Sequence, residues 1–126
     1  MNRPLTASML AVALLLGACT DEKPAASRPT PDDVTRRGCD AVAYVVERNN
    51  VFFALNLTAG RRASGATDAK VSAGGRELLE AAQKAGDLDV GSHGKADMTQ
   101  AEARIGDAQQ KVMTACRELL GEPPWS

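Results

Sequence analysis

The sequence predicts an all-α fold: a small antiparallel three- or four-helix bundle, held by one disulfide, behind a signal peptide and a disordered tether. Three observations carry that expectation. Apolar residues recur at steps of three and four through separate stretches after residue 30. Those stretches open on capping residues and close near glycine. Two cysteines, Cys39 and Cys116, fall in the first and the last of them.

The N-terminus carries one cation, Arg3, followed by the apolar run MLAVALLL from Met9 to Leu16. That run is shorter than the roughly 20 apolar residues a membrane span needs, so it reads as the apolar core of a signal peptide. Leu16-Gly17-Ala18-Cys19 closes it. This tetrad resembles the lipobox of bacterial lipoprotein precursors. The resemblance covers about twenty residues and implies that residues 1–18 are removed and that Cys19, lipidated, becomes the first mature residue. Two or more acyl chains, palmitate among them, would anchor the protein stably to the cell membrane on its extracytoplasmic face. An ordinary secretory signal would instead leave Cys19 an unmodified thiol. Thr20 follows the cysteine where aspartate would mark retention at a Gram-negative inner membrane, so in such an envelope the outer membrane is open to it.

Processing leaves 108 residues, one small domain and a tether, whose core alone is only marginally stabilising. The mature chain carries 14 Lys plus Arg against 16 Asp plus Glu, a balance that argues against a nucleic-acid partner. With Cys19 taken by lipid, Cys39 and Cys116 form an even pair in an oxidising compartment and are expected to join. Closing a loop of about 77 residues lowers the entropy of the unfolded chain by the equivalent of roughly 4 kcal/mol in the polymer model.

Residues 19–31 comprise the lipidated cysteine and the tether, whose sequence TDEKPAASRPTP holds three prolines and no apolar periodicity. The helical domain is expected over 32–121, with 122–126 as a C-terminal tail. Thr30-Pro31-Asp32-Asp33 sets out a helix start: a hydroxyl cap, proline at the first position, and carboxylates at the positive end of the dipole. The helix is expected to run over 31–59 on a stripe of Cys39, Ala43, Val46, Asn50, Phe53 and Leu57, with Gly60 as its stop. Asn49 and Asn50 interrupt this stripe. One of them is either a buried polar residue fixing register or contacting a ligand, or the pair marks a turn; one continuous helix with one asparagine partly buried is the preferred reading.

Residues 61–66 connect to a second helix over 68–85, capped by Thr67 and carrying Arg76–Glu80 and Glu80–Lys84 pairs on its wet face. Gly74-Gly75 inside it reads as a tolerated weak point costing about 1 kcal/mol per glycine, the other reading being a close backbone approach or hinge. A loop over 86–96 follows. Asp97 or Thr99 opens the last helix, each with a box partner three residues on, Gln100 or Glu102. Met98, Ile105, Val112 and Leu119 then repeat every seven residues with Ala101, Ala108 and Ala115 between them, a seam that lets a neighbour approach closely. Leu120-Gly121 ends the helix, and Pro123-Pro124 prevents its continuation.

Three straight helices in up-down-up order would leave Cys39 and Cys116 tens of Å apart, against the roughly 4.4 to 6.8 Å between Cα atoms that a disulfide permits. Either a turn at Asn49-Asn50 makes four segments, or the loop over 86–96 crosses back along the bundle.

No constellation reaches a catalytic, metal or cofactor signature. His93 lacks ligand partners at metal spacing, and Asp87 and Asp89 lack the remainder of a calcium loop. No nucleophile motif serves His93. Asn56-Leu57-Thr58 matches a glycosylation sequon, but Leu57 lies on the core stripe. Tyr44, Phe52 and Phe53 read as core, while Trp125 is either packed or exposed. The expectation is a lipid-anchored cell-envelope lipoprotein, not an enzyme, that shows a helical surface to an envelope-protein or cell-wall partner. A carrier or sensor of a small apolar ligand held between helices near Asn49 or Asn50 is the second reading; it requires a cavity, whereas the alanine seam predicts a dry core.

Overall fold

The computed structural model describes residues 31–125, and the expected signal peptide, the lipidation site at Cys19 and the tether up to residue 30 lie outside them. Four helices follow in order: α1 over Pro31–Glu47, α2 over Phe53–Ser64, α3 over Ala69–Gly91 and α4 over Thr99–Leu120, with no strand among the described residues. They run up, down, up and down. Gly38 of α1 lies against Ala63 of α2, Gly60 of α2 against Leu79 of α3, and Gly74 of α3 against Val112 of α4. Cys39 and Cys116 then join the middle of α1 to the last part of α4, with their Cα atoms 5.9 Å apart.

The expected continuous helix over 31–59 is broken, and the asparagines break it. Asn49 adopts φ +50°, a left-handed conformation that asparagine tolerates. Its amide donates to the Val46 carbonyl, and the Asn50 amide donates back to Val45 at 2.9 Å. This 6→1 and 5→2 pair is a Schellman termination with asparagine in the glycine position. The Asn50 carboxamide oxygen then accepts from the Phe52 amide at 2.9 Å and turns the chain into α2. This extra segment brings Cys116 to the level of Cys39.

Three further expectations are corrected. Gly60 is no stop: it sits inside α2, buried, where a Cβ would lie 2.7 Å from the Leu79 amide nitrogen. Asp68, not Thr67, caps α3, its carboxylate accepting from the Lys70 and Val71 amides at 3.0 Å each. The α3 helix also continues to Gly91, through half of the expected loop. A helical glycine costs only about 1 kcal/mol and does not itself end a helix. What ends α3 is His93, at φ +54°, with its amide bonded to Val90 and that of Gly94 to Asp89, a second Schellman pattern. At α4, the Asp97 carboxylate accepts from both the amide and the hydroxyl of Thr99.

The core is built of small side chains. Val42, Val45, Val71, Leu78, Ile105, Val112 and Met113 are its largest fully buried hydrophobic members, with Ala59, Ala63, Ala82, Ala85, Ala108 and Ala115 among the rest. The seam of α4 holds through Ile105, Ala108, Val112 and Ala115 but not to Leu119, which is exposed in the last turn of the helix. Gly74 and Gly75 are positions of close approach rather than weak points. A Cβ on Gly75 would fall well inside 3.0 Å of Ala63 and Ser64 backbone atoms, so α2 and α3 meet where both lack bulk. Trp125 is buried, and its indole N–H donates to the Gly121 carbonyl at 2.9 Å.

Candidate functional site

Asn49 is exposed on the turn, and Asn50 is half-buried, but the buried polar centre lies one helix turn further along the chain. Asn56 and Gln109 are 0 and 4 % exposed. The Gln109 amide nitrogen donates to the Asn50 carbonyl and to the Asn56 carboxamide oxygen, both at 2.7 Å. Asn56 donates in turn to the carbonyls of Asn50 at 3.1 Å and Phe52 at 2.9 Å. This network ties the α1–α2 turn to the middle of α4 and fixes their register. Among the described residues no buried side-chain nitrogen or oxygen lacks a partner. Sequence reading reached Asn56 only as a glycosylation sequon and passed over Gln109. The available signal was two amides among apolar residues, Asn56 in α2 and Gln109 beside Ala108 and Val112.

The aromatic residues depart furthest from expectation. Tyr44, Phe52 and Leu55 are 51, 54 and 44 % exposed, and Phe53 is only partly buried. Helical geometry explains this. Once α1 stops at Glu47, Val42 and Val45 face the other helices, which leaves Tyr44 on the opposite side. Phe52, outside both helices, rests against Phe53 with ring centroids 4.6 Å apart.

Tyr44 and Leu55 stand on the two sides of a groove of about 750 Å³ that runs between α1 and α2 on the outside of the bundle. Its floor is apolar, with Val34, Ala41, Val45 and Ala59. Arg37, close to the middle of α1, and Arg62, near the end of α2, line it where Gly38 meets Ala63, and Asp40 is the one carboxylate among the lining residues. A third arginine, Arg48, stacks on Tyr44 with its guanidinium carbon 3.6 Å from the ring centroid, while donating to the Tyr44 carbonyl at 3.0 Å. The half-exposed walls leave the groove open, so it is a surface feature and not an interhelical cavity. Neither Asn49 nor Asn50 lines it.

The chemistry elsewhere is that of a solvated surface. Ion pairs join Lys70 to Glu118, Lys84 to Glu80, Lys111 to Glu77 and Arg117 to Glu122, all with exposed partners. Arg76 reaches Ser72 at 3.4 Å rather than the expected Glu80. The Lys84 ammonium, by hydrogen bond and charge, holds the Glu80 carboxyl below its ordinary value, and the Thr99 hydroxyl and amide do the same for Asp97. Both lie outside the groove. His93 is exposed in the α3–α4 connection, and among the described residues no three His, Cys, Asp or Glu side chains are grouped to hold a metal ion. No described helix is long and apolar enough to cross a membrane. Comparison of the chain with protein-family models, with curated proteins and with solved structures finds no match.

Proposed function

We propose that this chain is a lipid-anchored cell-envelope lipoprotein that works by surface contact rather than by catalysis, through the outer face of α1 and α2. The observation that carries this reading is the placement of half-exposed Tyr44 and Leu55 on the two sides of an apolar groove, with Phe52 exposed at the turn between α1 and α2. Leader and domain agree in character. The lipobox-like Leu16-Gly17-Ala18-Cys19 supplies an anchor and the disulfide suits an oxidising compartment, while the groove gives the anchored domain something to present.

The test is the intact mass of the protein extracted with detergent from membranes of a bacterial host, after alkylating free thiols without reduction. The expected species begins at Cys19, carries the mass of its acyl chains and takes no alkyl label. The Cys19→Ser variant loses the acyl mass and leaves the membrane fraction. An exported species with an unmodified Cys19 refutes the anchor. A photoreactive side chain at position 44 in the anchored protein is expected to form envelope crosslinks that the same group at Gln83 does not.

The carrier reading draws on the groove volume, which lies within the roughly 300 to 1,000 Å³ of ligand pockets. Its ligand would lie between α1 and α2 in the open groove rather than beside Asn49 or Asn50. Saturable binding of an apolar fluorophore, removed by Leu55→Arg, would support it over the contact reading.

A further inference from the structure

Resting on the anchored reading above, we infer that the outer face of α1 and α2 lies on an anionic bilayer surface, its arginines engaging lipid phosphates and its exposed apolar side chains entering the headgroup region. The path of the chain brings the two together. Twelve residues separate Pro31, where α1 begins, from the backbone position of Cys19, about 40 Å at full extension. The groove runs from Val34 to Val45, about 16 Å along α1, so the whole face lies within reach of the membrane that holds the anchor.

The face has the chemistry of that surface. Residues 31–64 carry five arginines against four carboxylates and no lysine, whereas the rest of the described chain carries an excess of acid. Guanidinium forks match phosphate oxygens in pairs, which ammonium groups cannot do. Arg37 and Arg62 line the groove and Arg48 covers Tyr44 on its wall, with Leu55 on the α2 side and Phe52 exposed at the α1–α2 turn. Cations alternating with aromatic and aliphatic side chains are what an interfacial face requires, the cations at phosphate depth and the apolar groups just below.

Asp40 opposes this attraction, and no single contact is strong. The anchor changes the requirement. A domain tethered by about a dozen residues meets the bilayer at an effective concentration in the millimolar range, so a weak preference is sufficient to decide its orientation. In that orientation α3 and α4, whose carboxylates slightly outnumber their cations, face away from the anionic surface.

The experiment reconstitutes the full, membrane-extracted protein into vesicles of phosphatidylcholine alone or with added phosphatidylglycerol. An arginine-directed dicarbonyl reagent then reads the exposure of each arginine by peptide mass. Arg37 and Arg62 are expected to react roughly fivefold more slowly in the anionic vesicles, the effect of one surface contact per arginine, and to recover in high salt. Arg76 and Arg104, on α3 and α4, are exposed internal controls whose rates stay the same. Equal rates for Arg37 and Arg62 in both vesicles overturn the proposal. So does protection confined to native membranes, which would assign the face to an acidic protein partner. Failure of the anchor is read separately, as an intact mass without acyl chains. The unanchored chain is then given an excess of the same vesicles, where selective protection of Arg37 and Arg62 upholds the face and its absence overturns it.

Discussion

Substituting Gly75 by alanine separates two accounts of the α3 glycines. If they are tolerated weak points, each glycine-to-alanine change stabilises the bundle by about 1 kcal/mol, the difference in helix propensity. The structure requires the opposite sign at Gly75. A Cβ there would lie well inside 3.0 Å of the Ser64 nitrogen and the Ala63 carbonyl carbon, and 2.8 Å from the Ala63 Cβ. Two of those three atoms belong to backbone, so no rotamer change relieves the clash and α2 must move off α3. Overpacking costs typically 1 to 3 kcal/mol, and a backbone clash belongs near the upper end, about 3. The propensity gain returns about 1, leaving a loss of about 2 kcal/mol. For a domain of this size that lowers Tm by roughly 8 to 16 °C. Gly106 in α4 is the matched control, because a Cβ there would meet only Val51 Cγ1 at an ordinary 3.8 Å. Gly106→Ala is therefore expected to raise stability by up to about 1 kcal/mol. Urea unfolding of both variants with the disulfide intact, followed by far-ultraviolet circular dichroism, gives the comparison. Stabilisation by Gly75→Ala comparable to that by Gly106→Ala would refute the close-approach account.

Three more predictions follow from the same packing. Replacing Cys39 and Cys116 together by alanine is expected to lower unfolding free energy by roughly 4 kcal/mol, less any residual structure in the unfolded chain, measured by chemical denaturation; a loss below about 1 kcal/mol would show that the bundle does not depend on its staple. Asn56→Ala removes one of the two acceptors of the buried Gln109 amide and the donor to the Asn50 and Phe52 carbonyls, and is expected to cost about 2 kcal/mol; a double-mutant cycle with Gln109→Ala should return a coupling of about 1 kcal/mol or more. The folded state holds the Asp97 carboxyl below its ordinary value through Thr99, so the stabilisation it gives is present above the unfolded carboxylate range and is lost as pH falls through the lowered value. Carbon-detected NMR should find Asp97 titrating below an aspartate in the unfolded chain, a depression that Thr99→Ala removes; an ordinary midpoint in the folded protein would contradict the geometry.

The sequence by itself determined the class of the domain, the order of its helical stretches and the pairing of Cys39 with Cys116. Periodicity and cysteine parity are local or arithmetic properties, and they survive whatever the chain packs against. Tertiary structure decided what local pattern leaves degenerate. The stripe through Asn50 fits one long helix as well as two short ones, and the left-handed conformation at Asn49 chooses between them. Gly60, Gly74 and Gly75 carry no mark distinguishing a stop, a weak point and a contact, because their role is set by Leu79, Val112 and Ala63 on other helices. Tyr44 and Phe52 were legible as apolar but not as exposed, since the side a residue presents depends on where its helix ends and which neighbours cover it. The candidate face was therefore absent from the sequence as a pattern: its arginines and aromatic residues lie on two helices and the segment between them, which only the turn at Asn49 and Asn50 folds together.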